Sequence, residues 1–451
     1  MQAPRSSSSR NRVGSKAGVA LAAACAATLL TARVGAQEHD QFFFSDDAAL
    51  AAGAVGATTS DSGSVYYNPA GLALNRRTHA DLKASAFGIR IRPVDGVVTQ
   101  RAYDQTSKLN LHFADILSVP LATGVTRRVG ENMSFGFGFY VVDYDVRAGE
   151  DTATIKDSAT GATVRDHIDV DLQRSKYVFG PAIGWQVSPG FRMGVGLYGT
   201  YSKVASGGRV FADGSAPPAF LFVQSRGNSS SIGARGTIGV QWDFRPSWSL
   251  GLTVRTPEVR LANWGSALSA GSWESNPPGD PASPAFSVGE SRQSHAVTLS
   301  MPPQLVASVA YKFEGGFVAA ELDLQPPLRV ISEGIDRETT LNARVGCVLR
   351  VSRGMSLGTG FFTDRAISPL AAAPPSEHVD YYGATFGAQL RTFLGLAQSP
   401  ENEPLVLTTT VALRAAIGFG DARAYDFNVA STTTRVTFYE FVPYLGSSIT
   451  F

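Results

Sequence analysis

The chain has 451 residues, of which 44% are hydrophobic and only 17% are charged, below the roughly 25% usual for soluble domains. Its formal net charge is +1, and beyond residue 36 it has 34 basic against 38 acidic residues, which argues against a nucleic-acid-binding protein, since such a protein needs a basic footprint. Beyond residue 36 no apolar run is long enough for a membrane helix, so the apolar residues must be spread out by alternation, as in a transmembrane β-barrel.

The first 36 residues have the features of a secretory signal peptide. A basic stretch and an apolar run precede the small residues Val34-Gly35-Ala36, so Gln37 is the predicted mature N-terminus. An uncleaved anchor is disfavoured, because about 13 apolar residues cannot span about 30 Å of hydrocarbon as a helix. A lipoprotein modified at Cys25 is the other alternative, and its apolar stretch is short. Cleavage removes five of the 39 basic residues and none of the 38 acidic ones, and it leaves a single cysteine, Cys347. No intramolecular disulfide can then form.

The next distinctive feature is a turn-prone stretch that runs from Ser60 to Leu74. It contains the sequence Tyr-Tyr-Asn-Pro-Ala-Gly, in which Asn68 is a natural helix N-cap and Pro69 suits the first helical position. This pattern predicts a short helical turn over 68–74.

The region from residue 79 onwards shows the alternation of β-strands. Between Ile232 and Phe244, and again between Leu405 and Phe419, apolar residues occupy every second position. Runs of this length exceed the roughly 9–11 residues that a tilted strand needs to cross a bilayer. A soluble β-sandwich is the alternative, but its strands usually have about 5–6 residues.

Short turns and longer polar segments alternate between these strands, which is typical of an outer-membrane barrel. Tight turns are predicted at 130–132, 188–190, 245–247, 314–316 and 352–354. Long loops are predicted over 94–112, 147–171, 206–228, 262–291 and 420–432.

The strand count depends on Ala296–Phe313, which contains Pro302-Pro303. Prolines usually end a strand, but the alternation continues through them, so this segment is predicted to be one bent strand. About fourteen strands result, and an even number returns the C-terminus to the side where the barrel starts. Phe451 ends the last strand and resembles the signal that the barrel assembly machinery recognises. The predicted strands start near 79, 113, 132, 172, 190, 229, 247, 292, 316, 337, 354, 377, 403 and 433.

The sequence contains little that indicates an enzyme. Its six histidines are scattered without metal-ligand spacing, and there is no G-x-S-x-G nucleophile motif. Gly194, Gly196 and Gly199 match G-x-G-x-x-G, but they lie within a predicted strand and no helix follows, which the dinucleotide-binding interpretation requires. Such glycines more often allow bending or the close approach of an internal plug. We therefore predict no catalytic residue, no metal and no cofactor.

Polar residues on the inner faces of the predicted strands, such as Arg235, Asp243 and Arg414, are expected to face the lumen. They either guide the polar end of a substrate or hydrate the interior.

The segment from Ser45 to Gly56, followed by Ser62 to Leu72, resembles the N-terminal plug of the FadL/TodX family of outer-membrane transporters. Members of that family share a glycine-rich segment with an Asn-Pro-Ala motif, followed by a 14-stranded barrel. The resemblance implies passive uptake of long-chain fatty acids or aromatic hydrocarbons by a monomer in the outer membrane of a Gram-negative bacterium. It also implies three domains: a signal peptide over 1–36, a plug over 37–78 and an all-β transmembrane barrel over 79–451.

The resemblance also implies two candidate sites. The plug motif is Asn68, Pro69, Ala70 and Gly71. The second is an inward kink of the third strand, which makes a lateral opening in the family and would fall at Phe135, Gly136 and Gly138. The implied partners are a hydrophobic small-molecule ligand and outer-membrane lipid.

Three alternatives remain. The first is a FadL-like barrel with a structural role or a PorV-type role in secretion, which would bind a protein partner. The second is an outer-membrane lipase, which lacks a nucleophile–base pair here. The third is a general porin, which a plug would obstruct.

Overall fold

A computed structural model describes residues 43–75, 77–102, 105–215, 218–275, 286–294, 297–370, 376–394, 405–426 and 430–451. The predicted signal peptide over 1–36 lies outside these residues. None of the helices within the described ranges combines the length and hydropathy needed to span a membrane.

The described residues from 79 onwards form fourteen long strands, which confirms the predicted number. Two of them, β7 and β8, are interrupted. The strands are His79–Ala102 (β1), Gln105–Arg128 (β2), Met133–Lys156 (β3), Thr163–Ser188 (β4), Phe191–Ser215 (β5), Pro218–Arg245 (β6), Trp248–Arg255 with Glu258–Ser275 (β7), Phe286–Ser294 with Thr298–Met301 and Gln304–Phe313 (β8), Gly316–Gln325 (β9), Thr340–Ser352 (β10), Met355–Asp364 (β11), Glu377–Leu394 (β12), Leu405–Asp426 (β13) and Ala430–Thr450 (β14).

The strands form a closed antiparallel barrel. Each pairs with the next along the chain, and β14 returns to pair with β1 from Thr450 opposite His79 to Tyr439 opposite Ile91. The predicted tight turns join strands at the end where β1 begins and β14 ends, which we call the short-turn end. The opposite end is the long-hairpin end.

The side chains follow the predicted alternation between an apolar outer face and a polar inner face. In β7, Trp248, Leu250, Leu252 and Val254 are exposed on the outside, whereas the residues between them are buried. An exposed apolar surface that surrounds a whole barrel is the surface that lipid covers. The predicted fold class, a transmembrane β-barrel, is confirmed.

Aromatic side chains cluster on the outer surface beside two of the tight turns. The ring of Trp248 lies 6.4 Å from that of Phe244 and 5.1 Å from that of Tyr311, with Trp242 and Phe313 next to them. Aromatic rings in this position are typical of the girdle that marks a membrane–water interface. They indicate that the short-turn end lies close to one such interface.

The predicted long loops are wrong in extent. Strands β1 and β2 are separated only by residues 103–104, and β5 and β6 only by 216–217, so most of 94–112 and 206–228 is paired strand. The same holds for most of 147–171 and 420–432, and for the described parts of 262–291. Polar residues on both faces of these hairpins reflect exposure to water, and they do not prevent the backbone from pairing.

The single bent strand predicted across Pro302-Pro303 is wrong in its continuity, although the predicted alternation holds on both sides of the prolines. The strand is interrupted between Met301 and Gln304, because the prolines have no N–H to donate to the neighbouring strand. Met301 is buried on the inner side, whereas Leu299 and Leu305 point outward. Leu299 and Leu305 are six positions apart, so the outward phase is the same before and after the prolines, and Met301 is the residue that departs from it.

Candidate functional site

Residues 43–75, which we call the lumen segment, fold as three short helical turns. Helix α1 spans Asp46–Leu50 and helix α2 spans Ser64–Tyr67, and a 3-10 helix spans Pro69–Leu74. The side chain of Asn68 caps the 3-10 helix by accepting a hydrogen bond from the Ala70 N–H at 3.1 Å. The predicted helical turn with Asn68 as its N-cap is confirmed.

The lumen segment contacts the inner face of the barrel on all sides. Strands that are far apart around the barrel, namely β3, β7, β12 and β14, each donate a hydrogen bond to it. These bonds run from Tyr140 Oη to Ser62 O (3.0 Å), Thr253 Oγ1 to Tyr67 O (3.1 Å), Thr385 Oγ1 to Leu50 O (3.3 Å) and Tyr444 Oη to Asp46 Oδ1 (2.9 Å). Contacts in all these directions place the segment inside the barrel.

Asn68 lies at the centre of the contact between the lumen segment and the wall, and its side chain is fully buried. Its Nδ2 donates to Gly56 O at 2.8 Å within the segment and to Val240 O of β6 at 3.0 Å. One amide therefore caps a helix, closes a loop of the segment and attaches both to the barrel. Pro69, Ala70 and Gly71 are buried beside it.

Three glycines on neighbouring strands form the surface on which this turn rests. A Cβ atom on Gly184 of β4 or on Gly194 of β5 would lie 2.5 Å from the carbonyl oxygen of Pro69. One on Gly239 of β6 would overlap the amide oxygen of Asn68. Any larger residue at these positions would push against the backbone or cap of the turn, so the wall must be glycine here.

Sequence reasoning recognised this arrangement only in part. Gly194 is among the glycines interpreted as allowing bending or the close approach of an internal plug, whereas Gly184 and Gly239 were missed, although a signal for them was present. Gly184, Gly194 and Gly239 each lie in the inward phase of a strand, where a barrel usually has polar side chains. Glycines at the inward phase of three consecutive strands indicate that something inside approaches the wall. Gly346, Gly358 and Gly360 of β10 and β11 make the equivalent surface for α1 and the turn after it.

Replacing Asn68 with alanine is expected to loosen the lumen segment, because three hydrogen bonds to buried groups are lost. A cost of about 2 kcal/mol would raise the population of the displaced segment about 30-fold. The measurement uses Ala49, which is buried in α1: with Cys347→Ser and Ala49→Cys as the background, the rate of labelling by a charged maleimide reports that population.

Asn75→Ala is the matched control for this measurement. Asn75 lies at the end of the same segment, is only partly buried and has its side-chain contact with Thr126 of β2. It should change the labelling rate by less than about threefold, in line with a single partly exposed hydrogen bond. Equal rates for the two variants would show that Asn68 does not anchor the segment.

Lys83 of β1 attaches two parts of the lumen segment to the wall. Its fully buried Nζ donates to Phe44 O at 2.9 Å and to Ser62 Oγ at 3.3 Å. It also lies 3.3 Å from Asp81 Oδ1 and 3.8 Å from Asp61 Oδ2. One cation therefore holds two parts of the segment that are separated by 18 residues of chain.

The first turn of α1 carries two acidic residues, Asp46 and Asp47. Burial raises the pKa of both carboxyl groups, that of Asp47 to about 6, and for Asp46 the positive charge of Lys83 opposes this effect. Ionised carboxylates at this end of the helix are favoured by its dipole. The charge of Lys83 offsets part of the cost of burying them.

Phe135, Gly136 and Gly138 lie in β3, where the strand is regularly paired with both neighbours. Phe135 points outward, and Gly136 points inward against Val65 of the lumen segment. Gly138 leaves room for the ring of Tyr140. Their role in a kink stays a prediction.

The irregular part of β3 lies a few residues further on. The pairing with β4 shifts between Val141 and Asp143, and Tyr140 to Asp143 are all buried, so the alternation fails there. Strand β2 pairs with β3 only from Arg128 opposite Ser134 up to Ala122 opposite Tyr140. Beyond that point β3 continues beside β4, and β2 continues beside β1.

A layer of buried ion pairs crosses the lumen on the long-hairpin side of the lumen segment. Its contacts include 2.7 Å between Arg92 Nη1 and Asp145 Oδ1, and 2.6 Å between Arg147 Nη2 and Glu377 Oε1. The second of these joins β3 to β12. Buried charges are costly unless paired, and here each has a partner. The members of this polar layer are Arg90, Arg92, Asp145, Arg147, Glu377, Arg414 and Glu440.

Of the three residues predicted to face the lumen, Arg414 belongs to this polar layer, 2.8 Å from Glu440. Arg235 donates from Nε to Thr256 O and lines a cavity that rests on the lumen segment. Asp243 lies near the short-turn end, where Lys312 contacts it at 3.0 Å. We call the cavity beside Arg235 the polar cavity; it has a volume of about 80 Å³.

These features define the class of protein: a closed transmembrane β-barrel with its own N-terminal residues inside. No protein-family model and no curated protein sequence matches the chain. It is similar in structure to a FadL homologue of Pseudomonas aeruginosa, with 12% identity, a TM-score of 0.59 and coverage of 92% of this chain and 99% of that one. It is also similar to the toluene transporter TodX of P. putida, with 12% identity, a TM-score of 0.57 and coverage of 91% and 99%. The FadL/TodX type of fold is therefore confirmed.

Proposed function

We propose that the protein is an outer-membrane channel for passive uptake of hydrophobic small molecules, either long-chain fatty acids or aromatic hydrocarbons. The observation that carries this proposal is a closed barrel whose lumen holds the chain's own N-terminal segment. A general porin needs an open aqueous lumen, whereas TodX, which shares the fold, is described as a toluene transporter. The proposed location is the outer membrane of a Gram-negative bacterium. There the chain is a monomer, and Phe451 is the signal for barrel assembly.

In this proposal residues 37–78 form a plug. The part that lies within the described residues contacts widely separated strands and has a buried Asn68-Pro69-Ala70 turn. A plug prevents free diffusion of ions and polar solutes. Local displacement of this segment then admits a solute, since its contacts with the wall are hydrogen bonds and buried cations such as Lys83 and Arg255, which can open locally.

The proposed exit is lateral, through the wall between β2 and β3. An apolar solute cannot cross the polar layer without displacing its ion pairs, which makes straight passage along the lumen unfavourable. Where β2 and β3 diverge, beyond Ala122 and Tyr140, no ladder hydrogen bonds between the described residues of the two strands need to break. A solute that leaves there enters the bilayer directly.

Binding by the purified chain in lipid nanodiscs tests the proposed function. Saturable binding of a long-chain fatty acid or an alkylbenzene, above the partitioning into empty nanodiscs, is the expected result. A chain that binds neither, but co-purifies with a secreted protein, would instead have the PorV-type role.

A disulfide across the divergent strands tests the lateral exit. A Cβ atom on Gly149 of β3 would lie 3.4 Å from Leu111 Cδ2 of β2, so Leu111→Cys with Gly149→Cys in a Cys347→Ser background should form a bridge. Oxidation should then stop uptake, and reduction should restore it. The control pair is Thr363→Cys with Tyr382→Cys, where β11 and β12 are already paired. An oxidised β2–β3 pair with undiminished uptake would exclude this exit.

A further inference from the structure

The polar cavity lies directly against the lumen segment. It is bounded by Tyr66 of that segment and by the inner faces of strands from β3 to β11. A buried water needs about 10–15 Å³ of such volume, and an apolar cavity of about 150 Å³ accepts benzene. At about 80 Å³ the polar cavity has room for a few waters or for one end of a solute, but not for a whole aromatic hydrocarbon.

The charges that line the polar cavity are balanced. Four acidic and four basic side chains line it among the described residues. Two of the basic groups are engaged: Lys176 Nζ lies 2.8 Å from Glu258 Oε2, and Arg255 donates to Gln304 Oε1 and to Tyr66 O, both at 2.8 Å. A carboxylate that enters finds no excess positive charge, so its desolvation is not compensated.

A pure hydrocarbon is also a poor occupant of the polar cavity. It would displace water from ionised side chains without replacing the hydrogen bonds of that water. An uncharged hydroxyl or amide both donates and accepts, so it can replace them. Val142, Val178 and Ile367 also line the cavity and offer contact to the carbon atoms next to such a group.

We propose that the polar cavity binds the uncharged polar end of an amphipathic solute, such as a phenol, an alkyl alcohol or an amide, in preference to a hydrocarbon or a carboxylate. This inference rests on the proposed uptake of hydrophobic small molecules and changes the substrate class proposed above, from fatty acids and pure hydrocarbons to amphipathic solutes with an uncharged polar end. In this proposal the Lys176–Glu258 pair and Arg255 are the groups that select the solute. The apolar remainder of the solute lies outside the cavity.

The test compares three solutes that share a ring and a tail and differ at one end: 4-butylphenol, butylbenzene and 4-butylbenzoate. Each is equilibrated with the full chain in lipid nanodiscs and, as the partition control, with empty nanodiscs. We expect 4-butylphenol to bind at least about fivefold more tightly than either of the others, which is the gain from about one net hydrogen bond.

A double variant, Lys176→Met with Glu258→Gln, removes both charges and should bring the ratio of phenol to hydrocarbon affinity close to one. The control pair, Arg209→Met with Asp169→Asn, removes an ion pair between β5 and β4 outside the cavity and should leave the ratio unchanged. The first variant could fail to assemble. The ranking of the three solutes on the unmodified chain therefore tests the proposal without any variant.

Each outcome bears on a different claim. Butylbenzene or 4-butylbenzoate bound as tightly as 4-butylphenol would overturn the preference for an uncharged polar end and leave the uptake function standing. Binding of none of the three above the empty nanodiscs would overturn both.

Discussion

Replacing Lys83 with methionine is expected to raise the maleimide labelling rate of the Ala49→Cys reporter by at least about 150-fold. The lysine is fully buried, and its Nζ contacts the carboxylates of Asp81 and Asp61 and the Phe44 carbonyl oxygen. Removing one partner of a buried ion pair costs about 3–5 kcal/mol, because the other charge stays buried and uncompensated. In the folded barrel this cost weakens the attachment of the lumen segment to the wall.

A second change should rescue the Lys83 variant in part. Lys83→Met combined with Asp81→Asn removes both charges, so no isolated carboxylate from this pair remains in the wall. The double variant should label several-fold more slowly than Lys83→Met alone. If it labels faster instead, the cation acts by filling space and not by its charge. Heat-modified mobility on a gel checks that both variants assemble as barrels.

Replacing Gly194 with valine is expected to raise the same labelling rate about 150-fold. The new Cβ would lie 2.5 Å from both the Pro69 carbonyl oxygen and the Ala70 nitrogen, which are backbone atoms and cannot rotate away. Overpacking typically costs about 1–3 kcal/mol, and a clash with backbone belongs at the upper end of that range. Since β5 is held by ladders on both sides, the Asn68-Pro69-Ala70 turn is the part that moves.

Gly208 provides the matched control in the same strand. A Cβ there would lie 3.6 Å from the Asp169 carbonyl oxygen, an ordinary contact distance, so Gly208→Val should leave labelling within about twofold of the background chain. A Gly194→Val chain that labels no faster than Gly208→Val would show that the wall does not support the turn in solution.

The fold was predictable because its signals are local. Period-two alternation identifies each strand from about ten consecutive residues, and tight turns such as 188–190 mark where strands reverse. The cap of Asn68 on the following helical turn depends on neighbours in the chain, and it was also predictable. Loops were overpredicted, because polar composition reports contact with water and not the absence of backbone pairing.

The interior was less predictable because it depends on residues that are far apart in the chain. Arg147 and Glu377 form an ion pair across the lumen although 230 positions separate them. Neither lies in a motif, and the same residues on an isolated strand would suggest a hydrated surface. The contact of Gly184, Gly194 and Gly239 with the lumen segment was easier to predict, because glycine at inward positions is unusual for a barrel wall.

The irregularity of β3 was also hard to predict, because it depends on pairing between strands. The resemblance to the FadL/TodX family implies a kink at Gly136 and Gly138, but the pairing shift lies at Val141 to Asp143, where no glycine occurs. A β-bulge is set by the register between two strands, so one strand's sequence does not reveal it. The sequence can indicate that a strand is present, and the structure identifies the residue at which that strand bends.

The measurement that tests the central claim most directly is uptake by cells that lack this protein. A strain with the gene deleted is grown on a limiting hydrophobic carbon source, and the initial uptake rate of that labelled compound is compared with and without the restored gene. The account predicts that deletion reduces uptake at least about tenfold and that the full chain restores it. Uptake by the deletion strain at the rate of the restored strain, with each tested class of hydrophobic solute, would contradict it.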